Sequence, residues 1–264
     1  MAEMTDQYQD QAAITNLIGR VGVMALRSGG ASFRTEDIMR RVAKSLKVEI
    51  HAMETLVTPT VISVTTHFQF NGTATSYTTT QKVGGLGVNM ARIEALHDVS
   101  RYDYPPEQLA AHLDEIENTN PLYSHELVML GVGLACGSFA IILGGGFQEF
   151  IASMLAAMIS QLVRFRWNRL KMNPYLVTTL CSIVATGISY ALDTFVFHAP
   201  NTRLAMIASV LLLVPGVPLI DALIDLIQLD LISGVTRGIY ATFILISIGI
   251  GVLTTLSLTG IGIS

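Results

Sequence analysis

The second half of the chain is divided into long windows that contain no Asp, Glu, Lys or Arg. Leu127 to Gln148 is such a window of 22 residues, Met172 to Leu192 one of 21, Leu204 to Ile220 one of 17 and Gly238 to Ser264 one of 27. A helix rises ~1.5 Å per residue, so about 20 apolar residues cross the ~30 Å hydrocarbon core of a bilayer. Phe150 to Val163 adds a window of 14 residues. It reads either as a buried soluble helix or as a short span, with Arg164 and Arg166 snorkelling and Trp167 at the interface. We take it as a span, which gives five, over about 127–146, 148–166, 173–192, 203–224 and 238–262.

Of the 36 charged residues, 25 lie between Met1 and Glu126. The chain as a whole is 51% hydrophobic and 14% charged, where soluble chains carry roughly 25% charge. This asymmetry excludes a uniform soluble enzyme, a disordered chain and a disulfide scaffold. It predicts an N-terminal soluble α+β domain, 1–122, followed by an all-α polytopic membrane domain of about five transmembrane helices, 123–264. Cys136 and Cys181 both fall in apolar segments and read as small packing residues. A net charge of −4 without a basic patch argues against nucleic acid as a partner.

Lys and Arg in short loops set orientation. Arg164, Arg166, Arg169 and Lys171 cluster between the second and third spans, which places that loop in the cytoplasm. Counting back places the N-terminal domain there too. Its opening, MAEMTDQYQD, has neither a basic n-region nor an apolar h-region, so no cleavable signal peptide is expected. Counting forward places the C-terminus outside, a step that rests on span parity and the single charge of Arg237. Gly133 and Gly137 in the first span, and Ala152 and Ala156 in the second, have the spacing that lets helices approach closely.

The stretch from Ala208 to Asp221 carries the most information. Pro215 and Pro218 cannot donate to the helical ladder and Gly216 loosens it, so the helix breaks or kinks at membrane depth. Freed backbone groups are tolerated there only in protein or beside a watery cavity. Asp221 and Asp225, at i and i+4, share one helix face. Intramembrane carboxylates mark pathways. Carboxylates already at the cytoplasmic interface are the plainer alternative, and residue chemistry alone leaves both open.

In the N-terminal half, Ile14, Leu17, Ile18 and Val21 predict a helix over 11–26, ended by Ser28-Gly29-Gly30. A second helix is expected over 34–46. Residues 60–70 and 73–83 read as strands joined at Asn71-Gly72, a strong hairpin signal, and 48–56 as a further strand. Gly84-Gly85-Leu86-Gly87 is a turn without the residues of a phosphate loop. Asn89 caps a helix to Ser100, and a last helix runs from Pro105-Pro106 to about Glu117. The histidines form no H-E-x-x-H or Cys/His cluster, and Ser28 and Ser32 lack a nucleophile-elbow context. No catalytic residues, metal site or cofactor are expected.

Three motifs resemble the threonine/serine exporter family, and within it the shorter YjjP-like members. They are Ala208 to Ile220 followed by Asp225 and Gly234; Gly87-Val88-Asn89-Met90 ahead of a helix; and Gly22 to Leu26, Gly29-Gly30-Ala31 and Glu36. The resemblance spans about 17–252. It implies a multi-pass inner-membrane transporter subunit that exports a small polar substrate, threonine and serine or a small dicarboxylate, with coupling to protons. It also implies a small multi-span membrane partner, self-association, or both, because the second membrane module of longer members is missing. Pro215, Gly216 and Pro218 would supply the broken helix, with Asp225 and secondarily Asp221 on the substrate or ion pathway. Gly87 and Asn89 would form the soluble-domain motif. The competing reading is an enzyme or sensor whose soluble domain is active and whose spans are an anchor, although five spans with a broken helix exceed what anchoring needs.

Overall fold

The computed structural model describes residues 2–48, 52–70, 73–85, 87–119, 122–170 and 172–260. The chain divides into two compact units. One is Met1–Asn120 with Val217–Ile239, the other Pro121–Gly216 with Tyr240–Ser264.

In the first unit, helix α1 (Ala2–Arg27) is followed by α2 (Ser32–Ser45), strands β1 (Met53–Val57), β2 (Val61–Phe70) and β3 (Thr73–Lys82), then α3 (Met90–Val99) and α4 (Pro106–Asn118). The strands form one antiparallel sheet in the order β1-β2-β3, with Val61 opposite Lys82 and Phe70 opposite Thr73. Alternate residues of β2, namely Ile62, Val64 and Thr66, are fully buried. Ile62 and Val64 join a core with Ile18, Met39 and Leu96. The opposite face is hydroxyl-rich: Thr65 meets Thr78 at 2.9 Å and Ser63 meets Thr80 at 3.2 Å. This is the expected pattern for a sheet covered on one side. The Asn71-Gly72 turn, residues 49–51 of the first expected strand, Leu86, Lys171 and positions 261–264 lie outside the described residues. Helix α9 (Gly216–Ile227) and the start of α10 (Leu231–Thr259) complete this unit.

The second unit contains α5 (His125–Ile142), α6 (Phe147–Arg169), α7 (Pro174–Ala191) continued by a π-helical turn (Leu192–Phe197), α8 (Thr202–Ser209) with a 3-10 turn (Leu211–Leu213), and the rest of α10. Close backbone approaches hold it together. A Cβ on Gly137 would stand 2.9 Å from the Phe150 carbonyl oxygen, and one on Gly251 2.7 Å from that of Thr179. Ser160 Oγ donates to the Cys181 carbonyl at 2.9 Å, and Ser182 Oγ to that of Ile248 at 3.0 Å. Both cysteines are free and buried.

The distribution of side chains in the second unit is inverted relative to a soluble protein. Leu134, Ile141, Leu162, Ile246 and Leu253 are exposed, whereas Ser153, Ser160, Ser182 and Thr186 are buried. Apolar side chains face outward without penalty only where the solvent is lipid. Among the described residues, three helices are long and apolar enough to cross a membrane, namely His125–Ile142, Pro174–Phe197 and Leu231–Thr259. Thr202–Leu213 and Gly216–Ile227 together qualify as an interrupted fourth. Helix α6, expected as a span, is 23 residues long but is not among them. Glu149, Arg164, Arg166 and Arg169 lower its hydropathy. The chain is a helical membrane protein that carries a small three-stranded sheet.

Candidate functional site

Within the first unit, the motif residues converge on the turn between α1 and α2. Helix α1 ends where Gly29 takes a positive φ of 91° and the Gly30 amide donates to the Ala25 carbonyl at 3.0 Å. The residues after β3 dock onto this end. The Gly87 amide donates to the Arg27 carbonyl at 3.0 Å, and the Asn89 amide to that of Ser28 at 2.8 Å. A Cβ on Gly29 would stand 2.9 Å from the Gly87 oxygen, so neither contact leaves room for a side chain there. Asn89 caps α3, its side chain accepting from the Arg92 amide at 3.0 Å.

The same turn receives Asp225 and Arg237. Helix α2 begins with Ala31 at its N-cap, which offers no side-chain acceptor. Asp225 supplies one from far along the chain. Its Oδ1 accepts from the Ser32 amide at 3.1 Å and its Oδ2 from the Ser32 hydroxyl at 3.3 Å. A carboxylate at a helix N-terminus satisfies orphan amides and complements the helix dipole. Arg237 Nε lies 3.0 Å from Asp225 Oδ2, an ion pair at an angle too poor for a hydrogen bond. Its Nη1 donates to Asp221 Oδ2 at 3.3 Å and its Nη2 to the Gly30 carbonyl at 2.8 Å. Asp225 is 0% and Arg237 2% exposed, so this is a buried cluster of two carboxylates and one guanidinium.

The path of the chain explains the cluster. Val214 is extended and α9 starts at Gly216, so the helix is interrupted at Pro215. Pro218 sits in the first turn of α9, where a missing amide costs little. Leu229, at φ 64°, ends α9 and lets the chain reverse within three residues, and the Asp230 side chain then accepts from the Ser233 amide at 3.2 Å. Gly234 packs α10 against α9, since a Cβ there would stand 2.6 Å from Leu226 Cγ. The reversal brings Arg237 back alongside Asp221 and Asp225.

Asp221 and Asp225 therefore meet on one face, through Arg237, while Gly87 and Asn89 buttress the turn that both ions grip. Pro215, Gly216 and Pro218 lie at the start of α9 and take no part in the cluster. Two members escaped the sequence reading. Ser32 was weighed only as a nucleophile, and Arg237 only as a topology charge. The available signal for Arg237 was its isolation: it is the single cation after Arg203, 16 residues beyond Asp221 and 12 beyond Asp225 in largely apolar sequence. A separate surface cleft of about 630 Å³, between α2 and α3, is lined by Arg34, Asp37, Glu94, His97, Asp98 and Arg101. Asp37 there is already paired with Arg41 at 2.8 Å. No group of three or more His, Cys, Asp or Glu able to hold a metal ion occurs among the described residues.

The chain matches the family model described as "Putative threonine/serine exporter" over residues 16–259. It is 26% identical over 260 residues to the "Probable succinate transporter subunit YjjP" of Klebsiella aerogenes, covering 98% of both chains. It is 27% identical over 257 residues to the protein of the same name from Escherichia coli, covering 97% of this chain and 98% of that one. Similarity to the "Threonine/serine exporter" of Corynebacterium glutamicum, 27% over 163 residues, covers 59% of this chain and 32% of that protein. No solved structure matches.

Proposed function

The chain belongs to the threonine/serine exporter family, matched over residues 16–259, and from that premise we propose that it is a subunit of an inner-membrane exporter of small polar carboxylates, coupled to proton entry. The substrates named for its relatives, threonine, serine and succinate, share a carboxylate. The observation that carries the reading is the buried Arg237 guanidinium held between Asp221, Asp225 and the Gly30 carbonyl. A guanidinium is the natural receptor for a carboxylate, and Asp225 is the natural receptor for the ammonium group of an amino acid. A substrate carboxylate that competes for Arg237 would release Asp225 from Arg237. Such exchange of internal for substrate contacts gives a ligand unequal affinity for two conformations, which any conformational cycle requires.

The domain boundary near residues 122–123, the cytoplasmic N-terminal domain and the five spans belong to this reading. So does a small multi-span membrane partner or a second copy, in line with relatives named as transporter subunits. Because those relatives are named as transporters and exporters, the reading of the soluble domain as an anchored enzyme or sensor is not pursued.

Efflux of threonine, serine and succinate from vesicles, with and without a co-expressed small membrane partner, tests the proposal. Export of at least one of them is expected, and it is lost in Asp225→Asn at normal insertion. Full export by Asp225→Asn would remove Asp225 from the pathway.

A further inference from the structure

Two buried carboxylates in the second unit take no part in the cluster just described. Glu149 stands in the first turn of α6 and Asp193 in the π-helical turn that continues α7; both are 0% exposed. Glu149 is fully provided for. Its Oε2 accepts from the Gly146 amide at 2.8 Å and its Oε1 from the Asn201 amide at 3.1 Å. Asp193 is not: neither of its carboxylate oxygens has a hydrogen-bond partner among the described residues. Its backbone carbonyl accepts from Ala199 at 2.9 Å, so the segment that ties down Glu149 also ties down Asp193. The two carboxylates are near enough for the charge of one to act on the other.

A second feature points into the same place. Ser182, Thr186, Ser189 and Asp193 follow one another at steps of four, three and four, so they line a single face of α7. All four are 0% exposed. Ser182 donates to the Ile248 carbonyl and Thr186 to Thr255 Oγ1 at 2.7 Å, but Ser189 Oγ, one turn before Asp193, has no partner. Buried polar groups are otherwise paired, so orphans deserve a cause. Here three orphaned oxygens lie together on one face, at a π-helical turn, an irregularity common at functional sites.

An ionised Asp193 would be a buried charge with no donor beside a second carboxylate that holds two amide donors of its own, the costliest arrangement available to it. The other charged or titratable groups on the neighbouring elements do not relieve it. Tyr190 on α7 packs its ring on Phe195, His198 pairs its Nδ1 with the Thr194 carbonyl, and no donor among the described residues hydrogen-bonds either Asp193 oxygen. Two carboxylates and a hydroxyl fall short of the six to eight oxygens of a calcium site, and no third His, Cys, Asp or Glu joins them among the described residues. A proton needs only one oxygen.

We propose that Asp193, beside Glu149 and at the end of the Ser182–Thr186–Ser189 face, is a proton-binding site inside the helical unit, occupied in the conformation described here and emptied during the working cycle. The site lies in a different unit from Asp225, so the proton and the substrate would be bound separately. Only the coupling to export rests on the function proposed above; proton binding does not.

The test has two readouts on the full-length chain in phosphatidylethanolamine/phosphatidylglycerol liposomes. Infrared difference spectra between mildly acidic and mildly alkaline pH should show the band of a protonated carboxyl in the wild type and in D225N, and lack it in D193N. A D193N spectrum identical to wild type overturns the proposal. Should D193N fail to insert, E149Q serves instead: the pH at which the band appears should move, and an unmoved band overturns the pairing. In efflux, an inward proton gradient should accelerate wild-type export and leave D193N export unaccelerated; equal acceleration in both overturns the coupling role. Absence of wild-type export with the infrared band present would sink the exporter reading and leave the proton site standing.

Discussion

Without Arg237, Asp225 would be left with no partner cation in a place that water does not reach, beside the partly exposed Asp221. Breaking a buried ion pair on one side costs about 3–5 kcal/mol, because the stranded charge cannot be rehydrated. Arg237→Ala is therefore expected to lower the thermal midpoint of the detergent-solubilised protein more than any other single change in the cluster. Arg237→Leu combined with Asp225→Leu should recover part of that loss, since the double change leaves only Asp221, which retains some exposure. Midpoints of the two single variants that add up to that of the double variant would show that the pair is not coupled. Asp221→Asn should be the mildest change, because Asp221 is the more exposed carboxylate and makes the longer contact.

At the scale of elements, helix contact in the second unit depends on where a glycine faces. Gly137 stands against the Phe150 backbone, and no side-chain movement relieves a Cβ placed 2.9 Å from a carbonyl oxygen. Gly131, six residues before it on α5, has nothing within 4 Å of a would-be Cβ. Gly137→Val should lower the thermal midpoint, by the ~1–3 kcal/mol typical of overpacking, while Gly131→Ala should leave it unchanged or raise it slightly. Equal effects would mean that the α5–α6 contact is not what the glycines serve. The elements themselves were largely legible in sequence. Periodicity placed α1 and α2, the Pro105-Pro106 start placed α4, residue content on either side of Asn71-Gly72 placed β2 and β3, and Asn89 stands where a cap was expected. Local rules find these because each rests on neighbours in the chain. The cluster was only half legible for the converse reason. Asp221 and Asp225 are a local i, i+4 pair, but Ser32 lies 193 positions from Asp225 and Gly30 lies 207 from Arg237. Nothing in a short window encodes such contacts. Asp193 stands just beyond the expected span 173–192, where hydropathy gives no sign of it, because its burial comes from a π-helical turn and packing.

For the whole molecule, the open count is whether α6 crosses the membrane with its neighbours. Its composition alone places it below α5, α7 and α10. Its packing argues otherwise. Gly137 of α5 meets Phe150 near the start of α6, and Gly133 meets Met154 and Met158 further along. The two helices thus run antiparallel at the same depth. On its other side Ser160 meets Cys181 of α7. A helix of 23 residues is about 34 Å long, enough to cross. Flanked by two spans, it can replace outward-facing leucines with Ala152, Ala156, Ala157 and Ser160, all buried, and so it loses hydropathy without leaving the bilayer. On the proposed topology, α6 and the interrupted α8–α9 would bring the crossings to five, with Arg164, Arg166 and Arg169 on the cytoplasmic side. A reporter fused after residue 170 and one fused at the C-terminus are then expected on opposite faces, cytoplasmic for the first and external for the second. If α6 lay along the surface, the crossings would number four and the C-terminus would share a side with the N-terminus. An external reporter after residue 170 together with a cytoplasmic one at the C-terminus would remove α6 from the spans, because the three crossings between the two fusions keep them on opposite faces either way.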